Sequence, residues 1–294
     1  MTSIDTKFFF LINLLFCVIV FFFGEIIYSN FLSQLFIFII PLIWPGLAHG
    51  SLDILTAKRK KIIKDFSTFL IFLMIYLLIP IFFFLLWQIY PNYIFTVFLI
   101  LSLMHFGISD KLNKDNSTVF NEIFLRSMII ICMPIMFHNE QTLQIFYFLG
   151  VSLDYCRTFS EFIKYFSLLL VPVSMFYFSQ SLKKKEYGQV FDIMILFFCF
   201  IFYQPLLSFL IYFCFLHSIR HLLNEKRLLK LSNKNLFLKT VPMTVIVLFF
   251  IIVLIFSYFY FPDTINSLFI SNSVIAIFCL TISHVLLINF IKEK

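Results

Sequence analysis

Four histidines, His49, His105, His217 and His221, stand beside or inside long apolar runs. Ionisable residues in hydrocarbon are costly and mark a functional site by default. The last two belong to Cys214-Phe215-Leu216-His217-Ser218-Ile219-Arg220-His221, so on a helix they lie four apart on one face, where both can reach a single ion. His49 sits in Gly46-Leu47-Ala48-His49-Gly50-Ser51-Leu52-Asp53 and His105 in His105-Phe106-Gly107-Ile108-Ser109-Asp110. Each is followed by glycine and, four or five residues on, by an aspartate. Neutral imidazole coordinates divalent iron or copper without adding anionic charge. Four imidazoles on Fe(II) would leave one or two positions open to dioxygen, the pattern of an oxygen-activating site. Asp53 and Asp110 are placed to accept the second ring N–H of their own or a neighbouring histidine, which would fix its tautomer. Gly50 and Gly107 remove side chains beside the ligands, for close helix approach or for a bulky apolar substrate.

Plainer readings stand beside these. His138 enters a polar loop with Asn139 and Glu140 and reads as a helix-end group outside the site. The H-x-x-x-H pair also fits two interfacial histidines, because Arg220 and a basic loop show the helix leaving the membrane. Asp53 and Asp110 could equally be surface partners of Lys58 and Lys111. Trp44, Tyr90 and Tyr93 read as interfacial anchors, with Trp44 also placed to line a substrate path.

The elements that must position these residues are transmembrane helices. A chain of 294 residues that is 62% hydrophobic and 13% charged cannot clothe itself in polar surface. The 46 phenylalanines are lipid-compatible filler. The net charge of +7 resides in short loops between apolar runs, as the positive-inside rule expects, so no nucleic-acid role follows. Six scattered cysteines form no C-x-x-C pair and read as small buried hydrophobes. Apolar runs at residues 8–27, 31–47, 66–88, 93–108, 122–137, 162–178, 190–216, 236–260 and 267–290 predict eight or nine spans. The expected fold is therefore an all-α polytopic bundle, with residues 1–294 as a single domain. Lys58, Arg59, Lys60, Lys61 and Lys64 follow the second span, Lys111 and Lys114 the fourth, and Lys183 to Lys185 the sixth, which predicts a cytoplasmic N-terminus. Strict alternation would then strand Lys226, Arg227, Lys230 and Lys234 outside. Tyr203-Gln204-Pro205 is the expected correction, a broken or re-entrant helix near Pro205; a short crossing at residues 143–153 is the alternative. That correction also brings His217 and His221 to the cytoplasmic depth expected of His49 and His105, and His284, eight residues before Lys292, reaches a comparable depth.

The ordered phrases GLAHGSLD, HFGISD and FCFLHSIRH resemble the Brp/Blh family of bacterial and archaeal β-carotene 15,15'-dioxygenases over nearly the whole chain. The resemblance implies that His49, His105, His217 and His221 ligate a non-haem Fe(II). It implies cleavage of β-carotene by dioxygen into two retinal molecules in the cell (inner) membrane, for use by a microbial rhodopsin. Two departures, Ala48 and Ser283-His284 where the family commonly has proline before histidine, remove no ligand. They leave His284 as an outer-shell or pocket residue and a fifth-ligand candidate. Phe106, Phe213 and Phe215 are the expected walls of an apolar pocket. The rival readings are another histidine-ligated membrane metalloprotein, haem or non-haem, and a proton-coupled transporter. The total of six histidines is too few for the eight-histidine set of membrane desaturases.

Overall fold

The computed structural model describes residues 3–29, 33–34, 37–112, 116–260 and 267–291, and Lys114, Lys292 and the start of the expected second span lie outside the described residues. All regular structure among the described residues is helical. In chain order the helices are α1 (Ile4–Tyr28), α2 (Asp53–Arg59), α3 (Phe66–Ile89), α4 (Pro91–Asp110), α5 (Asn116–Phe137), α6 (Asn139–Phe148), α7 (Leu153–Ser167) and α8 (Leu170–Lys183). They continue as α9 (Tyr187–Phe202), α10 (Pro205–Tyr212), α11 (Ser218–Leu228), α12 (Asn233–Tyr260) and α13 (Ser267–Val285). Eight helical stretches among the described residues are long and apolar enough to cross a membrane. α12, with 28 residues, runs a further 42 Å or so at about 1.5 Å per residue.

Local chemistry sets the ends. Ser3 caps α1 by accepting from the Thr6 N–H. Asp65 and Thr68 form a reciprocal capping box at the start of α3. The Thr68 backbone N–H and hydroxyl both donate to the Asp65 carboxylate and hold its pKa below the ordinary value. A lowered folded-state pKa means that this cap persists as pH falls until it drops below the usual carboxylate range.

The expected second span departs most from its sequence reading. Instead of closing at residue 47, the span runs from Ile39 to Arg59, kinked at Trp44 and continued through a 3-10 stretch at Leu47–Leu52. Pro45 lacks the N–H a regular helix needs, and Trp44 is extended (φ -146°, ψ 121°), so the backbone rewinds. His49 therefore lies within the span rather than at its end.

The break at Pro205 is present. α9 stops at Phe202, Tyr203 and Gln204 are extended (ψ 150° and 154°), and Pro205 opens α10 at a position where its missing N–H costs nothing. The Ile201 carbonyl, whose helical donor would have been that N–H, accepts instead from His138 Nε2 at 2.9 Å. The alternative crossing does not form: α6 has ten residues, about 15 Å of helix, and the chain turns at Gly150 (φ 81°).

The chain divides into two compact units. The first comprises Met1–Gly46, Leu103–Gln144 and Cys156–His221. Here α5 packs against α8 and α9, and α1 lies along the turn Phe213–His217. The second comprises Leu47–Ser102, Ile145–Tyr155 and Leu222–Lys294. In it α13 packs along α3, and Leu52, Leu222 and Leu236 form a small core behind the His49 stretch. α3 buries only Pro80 and Trp87 completely; Phe69, Phe72 and Tyr76 pack inward against Ala57, Ile63 and Leu287, and Leu70, Ile71, Met74, Leu78, Phe82 and Leu85 are exposed, as on a lipid-facing helix. Trp87 is anchored by donating Nε1–H to the Leu149 carbonyl at 3.0 Å.

Candidate metal centre

In the first unit, α4 carries His105 and ends on Asp110, while α10 and a π turn (Phe213–His217) bring Tyr212 and His217 to that end. A π turn inserts one residue into a helix and re-aims the side chain it delivers. His217 and Asp110 are fully buried. The His217 Nδ1–H donates to Asp110 Oδ1 at 3.0 Å, and the Tyr212 hydroxyl donates to Oδ2 at 2.6 Å. A carboxylate accepts only, so Nδ1 carries a proton, and in the neutral ring this leaves the lone pair on Nε2, the tautomer a metal needs. His105 stands edge-on to His217 with ring centroids 5.1 Å apart, and its Nδ1 lies 3.3 Å from Ser109 Oγ. His221 lies one turn beyond His217, with centroids 6.4 Å apart.

Behind Asp110 is an ionic lattice. Arg220 Nη1 donates to the Asp110 backbone carbonyl at 2.7 Å, Nη2 to Asp192 at 2.9 Å and Nε to Asp5 at 2.6 Å. Arg126 bridges Asp192 at 2.6 Å and Glu122 at 2.9 Å, and Thr6 donates to Asp192 as well. Two guanidinium groups thus face four carboxylates, those of Asp5, Asp110, Glu122 and Asp192. The Asp110 carboxylate behind the His217 ring raises the basicity of the imidazole and favours a cation on its far side.

In the second unit the rings of His49 and His284 lie 4.9 Å apart and perpendicular. His284 Nδ1 lies 2.9 Å from both oxygens of Asp53, which also accepts from the Tyr76 hydroxyl at 2.6 Å. Asp53 and Asp110 are 4% and 0% exposed, which excludes a surface pairing with Lys58 or Lys111. Each aspartate clasps a histidine distant in sequence rather than the one four or five residues before it.

These donors suit a divalent ion chemically: buried imidazoles, with a carboxylate behind His217 and another behind His284. With metal–nitrogen bonds of about 2.0–2.1 Å, two imidazoles on one ion have centroids about 4.6–5.3 Å apart at right-angle to tetrahedral geometry and about 6.5 Å apart when opposed. The pairs His105/His217 at 5.1 Å and His49/His284 at 4.9 Å fall in the first range, and His217/His221 at 6.4 Å only at the second. Among the described residues, no group of three or more His, Cys, Asp or Glu side chains is arranged to hold an ion. The structure therefore brings the donors together as pairs.

Phe106 packs its ring 4.7 Å from His217, and Phe213 stacks on the same imidazole at 5.9 Å. Phe215 instead joins Phe8, Phe16 and Phe38 in an aromatic cluster against α1. Trp44 is 42% exposed, as an interfacial anchor would be.

The two glycines differ. A methyl group at Gly107 would lie 2.6 Å from the Ile123 carbonyl and 2.3 Å from Ser127 Oγ, so α4 and α5 touch backbone to backbone here. At Gly50 it would meet only His284 Nδ1, at 4.0 Å. Gly107→Ala is expected to destabilise the protein by about 1–3 kcal/mol or more, and Gly50→Ala to be tolerated, in thermal unfolding of detergent-solubilised protein.

Tyr212, Tyr76, Arg126, Asp192 and Glu122 belong to these clusters and were not singled out from sequence, and Arg220, read there as a sign of the helix leaving the membrane, is instead buried among carboxylates. Asp192 carried a usable signal, a lone charge within an apolar helix, and so did Glu122 and Arg126, an opposite-charge pair four residues apart within another. The tyrosines carried none, since Tyr76 is one ring among many in a Phe-rich run.

The sequence matches the family described as beta-carotene 15,15'-dioxygenase over residues 40–292, a stretch that holds every histidine discussed above. A beta-carotene 15,15'-dioxygenase from uncultured marine bacterium 66A03 is 27% identical over 266 residues, covering 84% of this chain and 90% of that protein. No solved structure matches the chain. The histidine-bearing phrases, the all-helical membrane architecture and this match agree, and the chain belongs to the β-carotene 15,15'-dioxygenase family of oxygen-incorporating, carotenoid-cleaving enzymes.

Proposed function

We propose that the protein cleaves the central 15,15' double bond of β-carotene with dioxygen at a non-haem Fe(II) ligated by His49, His105, His217 and His221. The bond between the two central carbons breaks and each carbon takes one oxygen atom, so one C40 hydrocarbon and one O2 give two molecules of retinal. The observation that carries this reading is the buried His105/His217 pair clasped by Asp110 and Tyr212, in a chain of this family. Bound Fe(II) would supply the site at which dioxygen is activated.

The chain's own residues do the rest. Asp110 holds the Nδ1 proton of His217 and orients the ring, and Tyr212 and the Arg220 guanidinium hold Asp110. Phe106 and Phe213 shut water from one side of the His217 ring and offer an apolar wall to a polyene. The substrate partitions into the bilayer, so entry between lipid-facing helices needs no aqueous route. Regioselectivity then follows from holding the polyene midpoint near the metal. On this reading the protein sits in the cell (inner) membrane with a cytoplasmic N-terminus and passes retinal to a microbial rhodopsin.

The test is expression in a bacterium that accumulates β-carotene. Bleaching with retinal on the chromatogram is the expected result. Unchanged carotenoid with iron-loaded protein in the membrane overturns the substrate assignment. A Soret band in the purified protein would overturn the non-haem assignment. His138→Ala is the matched control: His138 serves the Ile201 carbonyl, so its loss is expected to cost about 1 kcal/mol of stability and leave iron content and retinal yield within twofold.

A further inference from the structure

The His49 cluster repeats the construction of the His217 cluster. In each unit two histidines meet edge to face, at 5.1 Å in one and 4.9 Å in the other. Each has an aspartate engaging the Nδ1 of one ring, at 3.0 Å for His217 and 2.9 Å for His284. In both a tyrosine hydroxyl donates to that aspartate at 2.6 Å. The aspartate follows the first histidine of its unit, by five residues from His105 and four from His49, and clasps the second. A buried His–Asp ion pair requires neither the second imidazole nor the tyrosine. We propose that His284 is a metal ligand, the counterpart in its unit of His217, and that it binds a divalent cation together with His49.

Asp53 and Tyr76 act as positioning residues. Asp53 fixes the Nδ1–H tautomer and so places the lone pair on Nε2, while Tyr76 fixes the carboxylate. The element bearing His284 is clamped on both sides. Ser283 Oγ donates to the Tyr76 backbone carbonyl at 2.7 Å, and the buried Lys60 ammonium donates to the carbonyls of Leu287, Ile288 and Ile291 at 2.8, 2.9 and 2.6 Å. Those three bonds satisfy carbonyls at a helix end. α13 is thereby fixed in register and rotation beside α3, which is what a ligand set needs and a loose ion pair does not.

The inference rests on the proposed role of His49 as a ligand. Its test measures iron loss from purified protein to a colorimetric chelator, and the visible spectrum of the Co(II)-substituted protein. His284→Gln is expected to speed iron loss tenfold or more and to change the Co(II) bands, and Asp53→Asn to weaken retention about 10–100-fold. For His284→Gly, millimolar imidazole should restore slow iron loss, a rescue that a merely structural histidine would not show. Wild-type iron retention and an unaltered Co(II) spectrum in folded His284→Gln would overturn the inference alone, provided His217→Ala loses iron. Wild-type protein that holds no iron and forms no retinal would overturn the proposed function and this inference with it. Should the His284 variants fail to fold, X-ray absorption at the iron edge of the wild-type protein decides: five imidazoles support the assignment and four overturn it.

Discussion

His217→Ala is expected to abolish both retinal formation and iron retention, with product falling at least a thousandfold while the protein still inserts and folds. The ring is fully buried, its Nδ1 is committed to Asp110, and Phe106, Phe213 and His105 surround it. On the proposed ligand assignment, alanine removes one nitrogen from a coordination set in which each contributes several kcal/mol. It also leaves the Asp110 carboxylate with one partner fewer in an apolar setting. Asp110→Asn separates the two effects. The amide keeps the shape but can offer its NH2 to Nδ1, which favours the wrong tautomer and puts the ring proton on Nε2, where the metal must bind. Iron affinity is expected to fall about 10–100-fold, with activity recovering as Fe(II) is raised. The measurements are iron per chain after gel filtration and retinal yield against added Fe(II). Full iron occupancy and wild-type turnover in His217→Ala would show that the ligands lie elsewhere.

The phrases that carried the site in the sequence were those in which a polar residue interrupts hydrocarbon. His49, His105, His217, His221, Asp53 and Asp110 stood out as candidates because an apolar span does not tolerate them without a partner, and all six are buried. Which aspartate serves which histidine was not legible. Chain proximity pairs Asp53 with His49 and Asp110 with His105, whereas the fold pairs them with His284 and His217, contacts separated by 231 and 107 residues. The break at Pro205 could be read, since proline removes a particular hydrogen bond. The second span could not be bounded, because the helix breaks at Trp44-Pro45 and the chain takes up helical turns again beyond the kink, through a 3-10 stretch and on to Arg59. Window hydropathy registers apolar length, not hydrogen-bond register, so distortions that aim side chains are invisible to it. The packing of Phe215 was hidden for a related reason: a residue two positions before His217 on a helix need not face the same way, and here it packs toward α1.

Arg126→Met is expected to cost more stability than any other single change outside the histidines, although Arg126 touches none of them. Its guanidinium is 1% exposed and is held at 2.9 Å from Glu122 and 2.6 Å from Asp192, neither of which is exposed at all. Methionine fills a similar volume without charge, so two carboxylates would remain buried with one counter-charge fewer. Breaking a buried pair in this way costs about 3–5 kcal/mol. Against a total stability of about 5–15 kcal/mol, the variant is expected to be recovered in low yield and to unfold at a much lower temperature in detergent. The companion variant makes the argument specific. Arg126→Met combined with Glu122→Gln and Asp192→Asn removes the orphaned charges with the cation, and it is expected to regain part of the lost stability. Asp192 also receives Arg220, which reaches the Asp110 carbonyl, so this rescue should restore folding ahead of iron affinity. A triple variant as unstable as Arg126→Met alone would mean that the aliphatic stem of Arg126 matters through packing and the ionic lattice does not.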